Sequence, residues 1–270
     1  MLIFILGLPL ISVKSQTIWV KDYQNALKIS KETGKPLLLD FTASWCPPCR
    51  LMEQTFWDRA EVAEFSKQFV FVKIDADQNA ELKMKYGVSG LPTVILADAW
   101  GESVDSHRGF GQNGDRVILE KLANFPKDFS SMKQSGERRE KNANDLDALY
   151  QFADFYHRQK LYQFSIGFYK KILKLENIPE KRENTLLNLA YEHLHLGQST
   201  LALENFEILT KEFPKSPQIE ISLYGIIMAQ INKQNLSEAE SNFSRLKNEF
   251  PKSKFIAEAE RLISNFKKRR

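Results

Sequence analysis

The sequence predicts two domains of different class: an α/β sheet with helices packed on both faces, then an all-α helical repeat. Three observations lead there. From Trp19 to about Phe125 the apolar residues alternate between strand and helix periods, whereas beyond residue 148 the period is purely helical. The helical part also repeats itself. NFEILTKEFPKS (205–216) and NFSRLKNEFPKS (242–253) match at eight of twelve positions, 37 residues apart. A chain of 270 residues with 43% hydrophobic content has enough apolar surface for two cores.

The chain opens on MLIFILGLPLISVKS, an uncharged apolar run from Leu2 to Ile11 followed by Val13 and Ser15 at small-x-small spacing. This reads as a secretory signal peptide over residues 1–15, cut before Gln16, and places the protein in the periplasm or outside the cell. No Lys or Arg precedes the run, and the competing reading is a buried first strand. Ten apolar residues fall short of the ~20 that span a bilayer.

The first domain is expected over 16–125. Asp22–Glu32 carries Tyr23, Ala26, Leu27 and Ile29 on one helical face, and Gly34 and Pro36 end it. LLLDF (37–41) is short and almost wholly apolar, as a strand buried on both faces should be. A helix should follow the cysteines. FVFVKID (69–75) and TVILA (93–97) read as the next strands, with a short helix at 79–86 between them. DAWG is a turn, 104–108 a fourth strand, and 113–124 a closing helix. PKDFSSMKQSGERREKNANDLD (126–147) is polar and charged, which suits a linker or a solvated helix between domains.

Residues 148–270 then read as stacked helix pairs. Ala190, Ala202, Phe206 and Pro214 stand at spacings that resemble a tetratricopeptide unit. Small residues let two helices approach, Phe fills the gap, and Pro breaks the second helix. Ala239, Phe243 and Pro251 repeat these roles, and Ser165 with Tyr169 substitute for them in a degenerate first repeat. Such arrays offer a concave surface to a protein partner. The formal net charge of +4 is small and scattered, and the KKRR end reads as a solvated tail, so nucleic acid is not an expected partner.

The chain's two cysteines, Cys46 and Cys49, fall together in SWCPPCR (44–50). A structural zinc site needs four ligands, and there is no second CxxC to supply them. A disulfide closing so small a loop would restrain the unfolded chain little. Two thiolates could hold Cu(I). The redox reading has the stronger physical basis. Cys46 follows the LLLDF strand and opens a helix, where partial positive charge favours a thiolate. Pro47 suits the first helical position, because its missing N–H would be unpaired there anyway. Cys49 lies one turn on, placed to resolve a mixed disulfide.

DFTASWCPPC, FVKID and VSGLPT, in that order, resemble the thioredoxins and their exported relatives over roughly 19–125. Pro47 departs from thioredoxin itself, which has Gly there. The resemblance implies a thioredoxin-like fold, a central mixed sheet flanked by helices, and a protein disulfide reductase with no cofactor beyond the Cys46–Cys49 disulfide and no metal. It implies that Cys46 attacks and Cys49 resolves, that buried Asp40 takes the Cys49 proton, and that Lys73 tunes Asp40. It also implies that Trp45, Pro47, Pro48, Leu91 and a cis Pro92 meet the substrate.

The partners that follow are protein thiols and disulfides, a membrane electron donor, and a protein docked on the helical repeats. The alternative is a non-enzymatic adaptor whose sheet domain is only a scaffold. Because Pro47 and Pro48 have no N–H and Cys46 lacks those two donors, a reducing or isomerase-leaning poise is expected. Equilibration of the pair against graded dithiothreitol or glutathione should give a potential on the order of −200 to −270 mV. A value well above the glutathione poise would contradict that reasoning.

Overall fold

The computed structural model describes residues 17–175 and 179–269. The expected signal peptide lies outside the described residues. The chain forms two compact units that divide at Lys133/Gln134. Among the described residues no helix is long and apolar enough to cross a membrane.

The first unit is built on a five-stranded sheet: β1 (Trp19–Val20), β2 (Leu37–Thr42), β3 (Val70–Asp75), β4 (Thr93–Ala97) and β5 (Ser103–Arg108). Their spatial order is β1-β3-β2-β4-β5. β3 runs parallel to both β1 and β2, whereas β4 is antiparallel to β2 and to β5, which makes the sheet mixed. The middle strand is the run expected to be buried on both faces. Leu37, Leu38, Leu39 and Phe41 are fully enclosed, and Asp40 between them is 2% exposed. Burial of this kind is worth about 1.5–3 kcal/mol per large apolar side chain.

Local signals place the flanking helices. Asp22 caps α1 (Tyr23–Thr33) by accepting the Asn25 N–H at 2.8 Å, and Gly34 ends it in the left-handed region at φ 72°. α2 (Pro47–Met52) continues into a π turn over Glu53–Trp57, which turns the neighbouring Phe56 and Trp57 both inward. Trp57 packs edge-on against Trp19 and Phe71. α3 (Ala60–Phe65), α4 (Ala80–Lys85) and α5 (Gly114–Asn124) complete the covering. The expected DAWG turn is held by buried Asp98, whose Oδ1 accepts the N–H groups of Trp100 and Glu102. β1 was not anticipated: two residues at a sheet edge have too short a pattern to read.

The segment 126–147, expected as a linker or a solvated helix, is structured and holds a helix. Phe129 is fully buried, its N–H donates to the Gly34 carbonyl at 2.7 Å, and its ring continues the stack Phe69–Phe125–Phe129. A side chain at Gly34 would meet the Ser130 backbone at 2.6 Å, so glycine there permits the close approach. Helix α6 (Lys133–Lys141) follows, and Arg138 bonds Asp145 and Asp147. The mean polarity of the stretch hid two apolar anchors, Phe129 and Met132.

The second unit continues through α7 (Leu146–Arg158), α8 (Tyr162–Leu175), α9 (Pro179–His195), α10 (Ser199–Glu212), α11 (Ile219–Asn232), α12 (Leu236–Glu249) and α13 (Ile256–Lys268). Ala190, Ala202, Phe206 and Ala239 are fully buried, Phe243 is half-buried, and Ser165 and Tyr169 are buried in the first pair. The repeated FPKS stretches make the same turn twice. Phe213 and Phe250 close their helices by donating to Leu209 and Leu246, and Ser216 and Ser253 then accept the N–H of Gln218 and Phe255. Lys267, in the basic tail, pairs with Glu240.

Phe206 lies against Gly225 of α11 so closely that a Cβ there would sit 2.2 Å from the ring tip. The ring is fully buried and cannot swing aside. Gly225→Ala should therefore destabilise the helical unit by about 1–3 kcal/mol, despite the ~1 kcal/mol that alanine gains in a helix. Thermal unfolding followed by circular dichroism reads the sign; a stabilised variant would show that the packing is loose.

Candidate active site

β2 ends at Thr42, and four residues later Cys46 begins α2. Its backbone is extended, its side chain is the N-cap, and its Sγ accepts the Cys49 N–H at 3.2 Å. Pro47 and Pro48 occupy the first two helical positions and are exposed. Cys46 and Cys49 form a disulfide with an S–S distance of 2.04 Å. Both are buried, in a small cluster with Ala43 that Leu91 covers. The Leu91–Pro92 peptide is cis. Among the described residues nothing pairs with the Leu91 backbone N–H or carbonyl, whereas the Pro92 carbonyl accepts from Gly109 at 2.7 Å.

Trp45 stands outside this cluster. It is 64% exposed, and its indole N–H donates to Asp77 at 2.6 Å. The ring is thus a surface feature beside the disulfide and not a core residue. Arg50 reaches back to the Ser44 carbonyl at 2.9 Å, bracing the loop that carries Trp45.

Asp40 and Lys73 are partners in register on β2 and β3, so both side chains leave the sheet on one face. Trp57 and Phe71 pack on that face. Lys73 lies 4.5 Å over the Trp19 ring and ion-pairs with Glu53. Glu53 follows Cys49 by four residues, one helical turn along the same side of α2. The expected residues therefore fall into two connected groups. Cys46, Cys49 and Leu91 meet in one cluster, and Asp40 with Lys73 forms the other, joined to the cysteine helix through Glu53.

Burial dominates the electrostatics of Asp40 and raises its carboxyl to about 7. Lys73 opposes this, Glu53 adds to it, and a hydrogen bond from the Trp57 side chain opposes it. Asp40 Oδ1 is buried with no hydrogen-bond partner among the described residues. A carboxyl so placed is neutral below neutrality and can accept a proton just above it.

Glu53, Trp57, Asp77 and Arg108 belong to the site's surroundings and were not singled out from sequence. For Glu53 the i,i+4 spacing from Cys49 was a usable signal. Asp77 and Arg108 come from distant strand ends, and no local pattern marks them.

A family model described as thioredoxin-like matches residues 18–99, which hold the sheet through β4 and both cysteines. The chain is 40% identical over 76 residues to the thioredoxin H-type of Brassica oleracea, covering 28% of this chain and 59% of that one. It is 36% identical over 95 residues to thioredoxin H4 of Arabidopsis thaliana, 35% of this chain and 74% of that one. It is also 40% identical over 100 residues to the thiol:disulfide interchange protein DsbD of Vibrio vulnificus, 34% of this chain and 17% of that one. The chain thus spans about three-fifths of the Brassica relative's length.

Asp40 also affects stability. Between its ordinary 3.8 and about 7 the folded chain keeps a proton that the unfolded chain has released, so this group's contribution falls as pH rises through that window. Asp40→Asn should therefore stabilise the first unit by about 2–4 kcal/mol at pH ~8 and by almost nothing at pH ~4. All four tryptophans lie in the first unit, so urea titration followed by tryptophan fluorescence isolates its transition. Equal effects at both pH values would mean that Asp40 is not a buried, proton-holding carboxyl.

Proposed function

The chain belongs to the thioredoxin-like family, and from that premise we propose that it is a thiol–disulfide oxidoreductase reducing protein disulfides through Cys46 and Cys49. The observation that carries this reading is the Cys46–Cys49 disulfide at the start of α2, covered by a Leu91 whose backbone pairs with nothing among the described residues.

In the reduced protein, Cys46 bears the thiolate. The start of a helix favours its charge, and the Cys49 N–H is placed to donate to it. An extended substrate segment pairs with the Leu91 backbone, setting its disulfide over Cys46. The Cys46 sulfur attacks one substrate sulfur, a mixed disulfide forms, and the other substrate sulfur leaves as a thiolate. Cys49 gives its proton to Asp40 and attacks the Cys46 sulfur, breaking its bond to the substrate sulfur, which leaves as the second substrate thiolate. Two electrons have then passed to the substrate, and the Cys46–Cys49 disulfide has formed. Lys73 and Glu53 tune Asp40. Trp45, Pro47, Pro48 and Pro92 give the rest of the contact surface. A two-electron donor must reduce the pair again.

In this reading the donor lies in a membrane and the reaction outside the cytoplasm; the similarity to a protein named as a thiol:disulfide interchange protein supports the exchange chemistry itself. The apolar run over 2–11 supports export as well. The helical unit, with its buried Ala–Phe positions and repeated FPKS turns, is read as tetratricopeptide-like and as the dock for a partner or substrate.

The test is reduction of a model protein disulfide under turnover with dithiothreitol. Cys46→Ser should abolish it, and Cys49→Ser should trap the mixed disulfide. Asp40→Asn should slow resolution of that intermediate on the order of 10²-fold. In the wild type the resolution rate should rise with pH through about 7, the pH at which Asp40 becomes a base, and Asp40→Asn should lose that step. A wild-type chain that reduces nothing would leave the adaptor reading.

A further inference from the structure

The strands that build the site deliver four chain segments to one end of the sheet. β2 and β3 are parallel, so their C-terminal ends lead there to Cys46 and Asp77. β4 runs the other way and begins there at Thr93, just after Pro92, and β5 ends there at Arg108, in register with Thr93. The sheet order thus lines up Asp77, the disulfide, the Leu91–Pro92 loop and Arg108 across three strand spacings, about 14 Å. A carboxylate stands at one side of the disulfide and a guanidinium at the other.

Arg108 is bound to the loop and unopposed in charge. Its Nη1 donates to Ser89 Oγ at 3.0 Å, and its stem lies 3.1 Å from where a Gly90 Cβ would sit. It forms one wall of an open cleft of 220 Å³ whose lining includes Tyr86, Ser89, Thr93 and Ser106 and no carboxylate. In the same unit Arg59 pairs with Asp115 and Arg116 with Glu120. Arg108 has no carboxylate partner among the described residues, and it is exposed. A guanidinium has five N–H donors in a planar fork, so donors remain for a ligand after the Ser89 bond. Ser89 is two residues from Leu91, a separation of at most about 7 Å of extended chain. A segment paired with Leu91 therefore passes within reach of Arg108 one or two residues from the cysteine under attack.

We propose that Arg108 is a specificity-determining residue that selects protein substrates carrying an Asp or Glu close to the reducible cystine, on the side that faces β5. This rests on the thiol–disulfide reading above. Asp77, already bonded to Trp45, disfavours an acidic residue on the opposite side and gives the site a direction. The carboxylate would seat on the free edge of the guanidinium, over the cleft.

The experiment uses the full chain, fully reduced, mixed in stopped flow with three synthetic peptides that each hold one intramolecular disulfide. One has Glu two residues before the cystine, one has Glu two residues after it, and one has Gln at both places. The wild type should reduce one of the two Glu peptides about tenfold faster than the Gln peptide, with the advantage shrinking as salt is raised. Arg108→Gln should bring that ratio to about one, and Arg108→Lys should keep part of it. Equal rates on all three peptides in the wild type would overturn the proposal while leaving the oxidoreductase reading intact. So would a preference that survives Arg108→Gln, even if every rate fell, because Arg108 would then only brace the loop. No reduction of any peptide would remove the oxidoreductase reading and this one with it.

Discussion

The site depends on the register of β2. That strand is held between a parallel neighbour and an antiparallel one, and it is buried on both faces. Its register sets Asp40 opposite Lys73 on one side and Val94 on the other. A slip of one residue would turn the Asp40 carboxyl to the other face, toward Tyr23, Ala26, Val72 and Ile95, and turn Leu39 and Phe41 away from them. The same register fixes where β2 ends, and so where α2 starts and Cys46 becomes its cap. It also fixes the start of β4 and the position of Leu91 over the sulfurs. Apolar burial by Leu37, Leu38, Leu39 and Phe41 thus positions Asp40, Cys46 and Leu91.

At the head of α2 two features act in opposite directions. Two prolines remove the backbone donors nearest to the Cys46 sulfur, which lessens stabilisation of its thiolate. The next residue restores one donor, because the Cys49 N–H lies 3.2 Å from Cys46 Sγ. The same proline at the first helical position suits the helix start that places that donor. Cys46 and Cys49 are therefore coupled twice, through their sulfurs and through this hydrogen bond.

Much of this could be read from the chain itself, and the reasons differ from element to element. LLLDF announced a central strand because a strand covered on both faces needs an unbroken apolar run. Asp22 and Gly34 announced the ends of α1 because each has a local backbone role. The FPKS turns were visible because they occur twice. What stayed hidden was carried by few residues or by long-range meetings. β1 is two residues long, and Phe129 sits alone in a polar stretch that otherwise looks like a linker. Asp77 reaches Trp45, and Arg108 reaches Ser89, across turns of the chain that no local pattern records.

Asp40 shows how the site keeps a near-neutral carboxyl beside a lysine. An in-register ammonium alone would pull a carboxyl well below its ordinary value. Here the ammonium is shared. Glu53, one turn past Cys49, pairs with Lys73 and itself raises Asp40, so much of the pull from Lys73 is offset and burial decides the outcome. The resulting carboxyl near 7 makes the folded state less stable at neutral pH than an uncharged residue would, a cost that the proposed proton transfer requires. A fully ionised Asp40 would be too weak a base to take a proton from a thiol, and one held neutral far above 7 could not take it at all. The residues that set this balance lie on three elements, β2, β3 and the π turn that continues α2, and the register of β2 is what makes them meet.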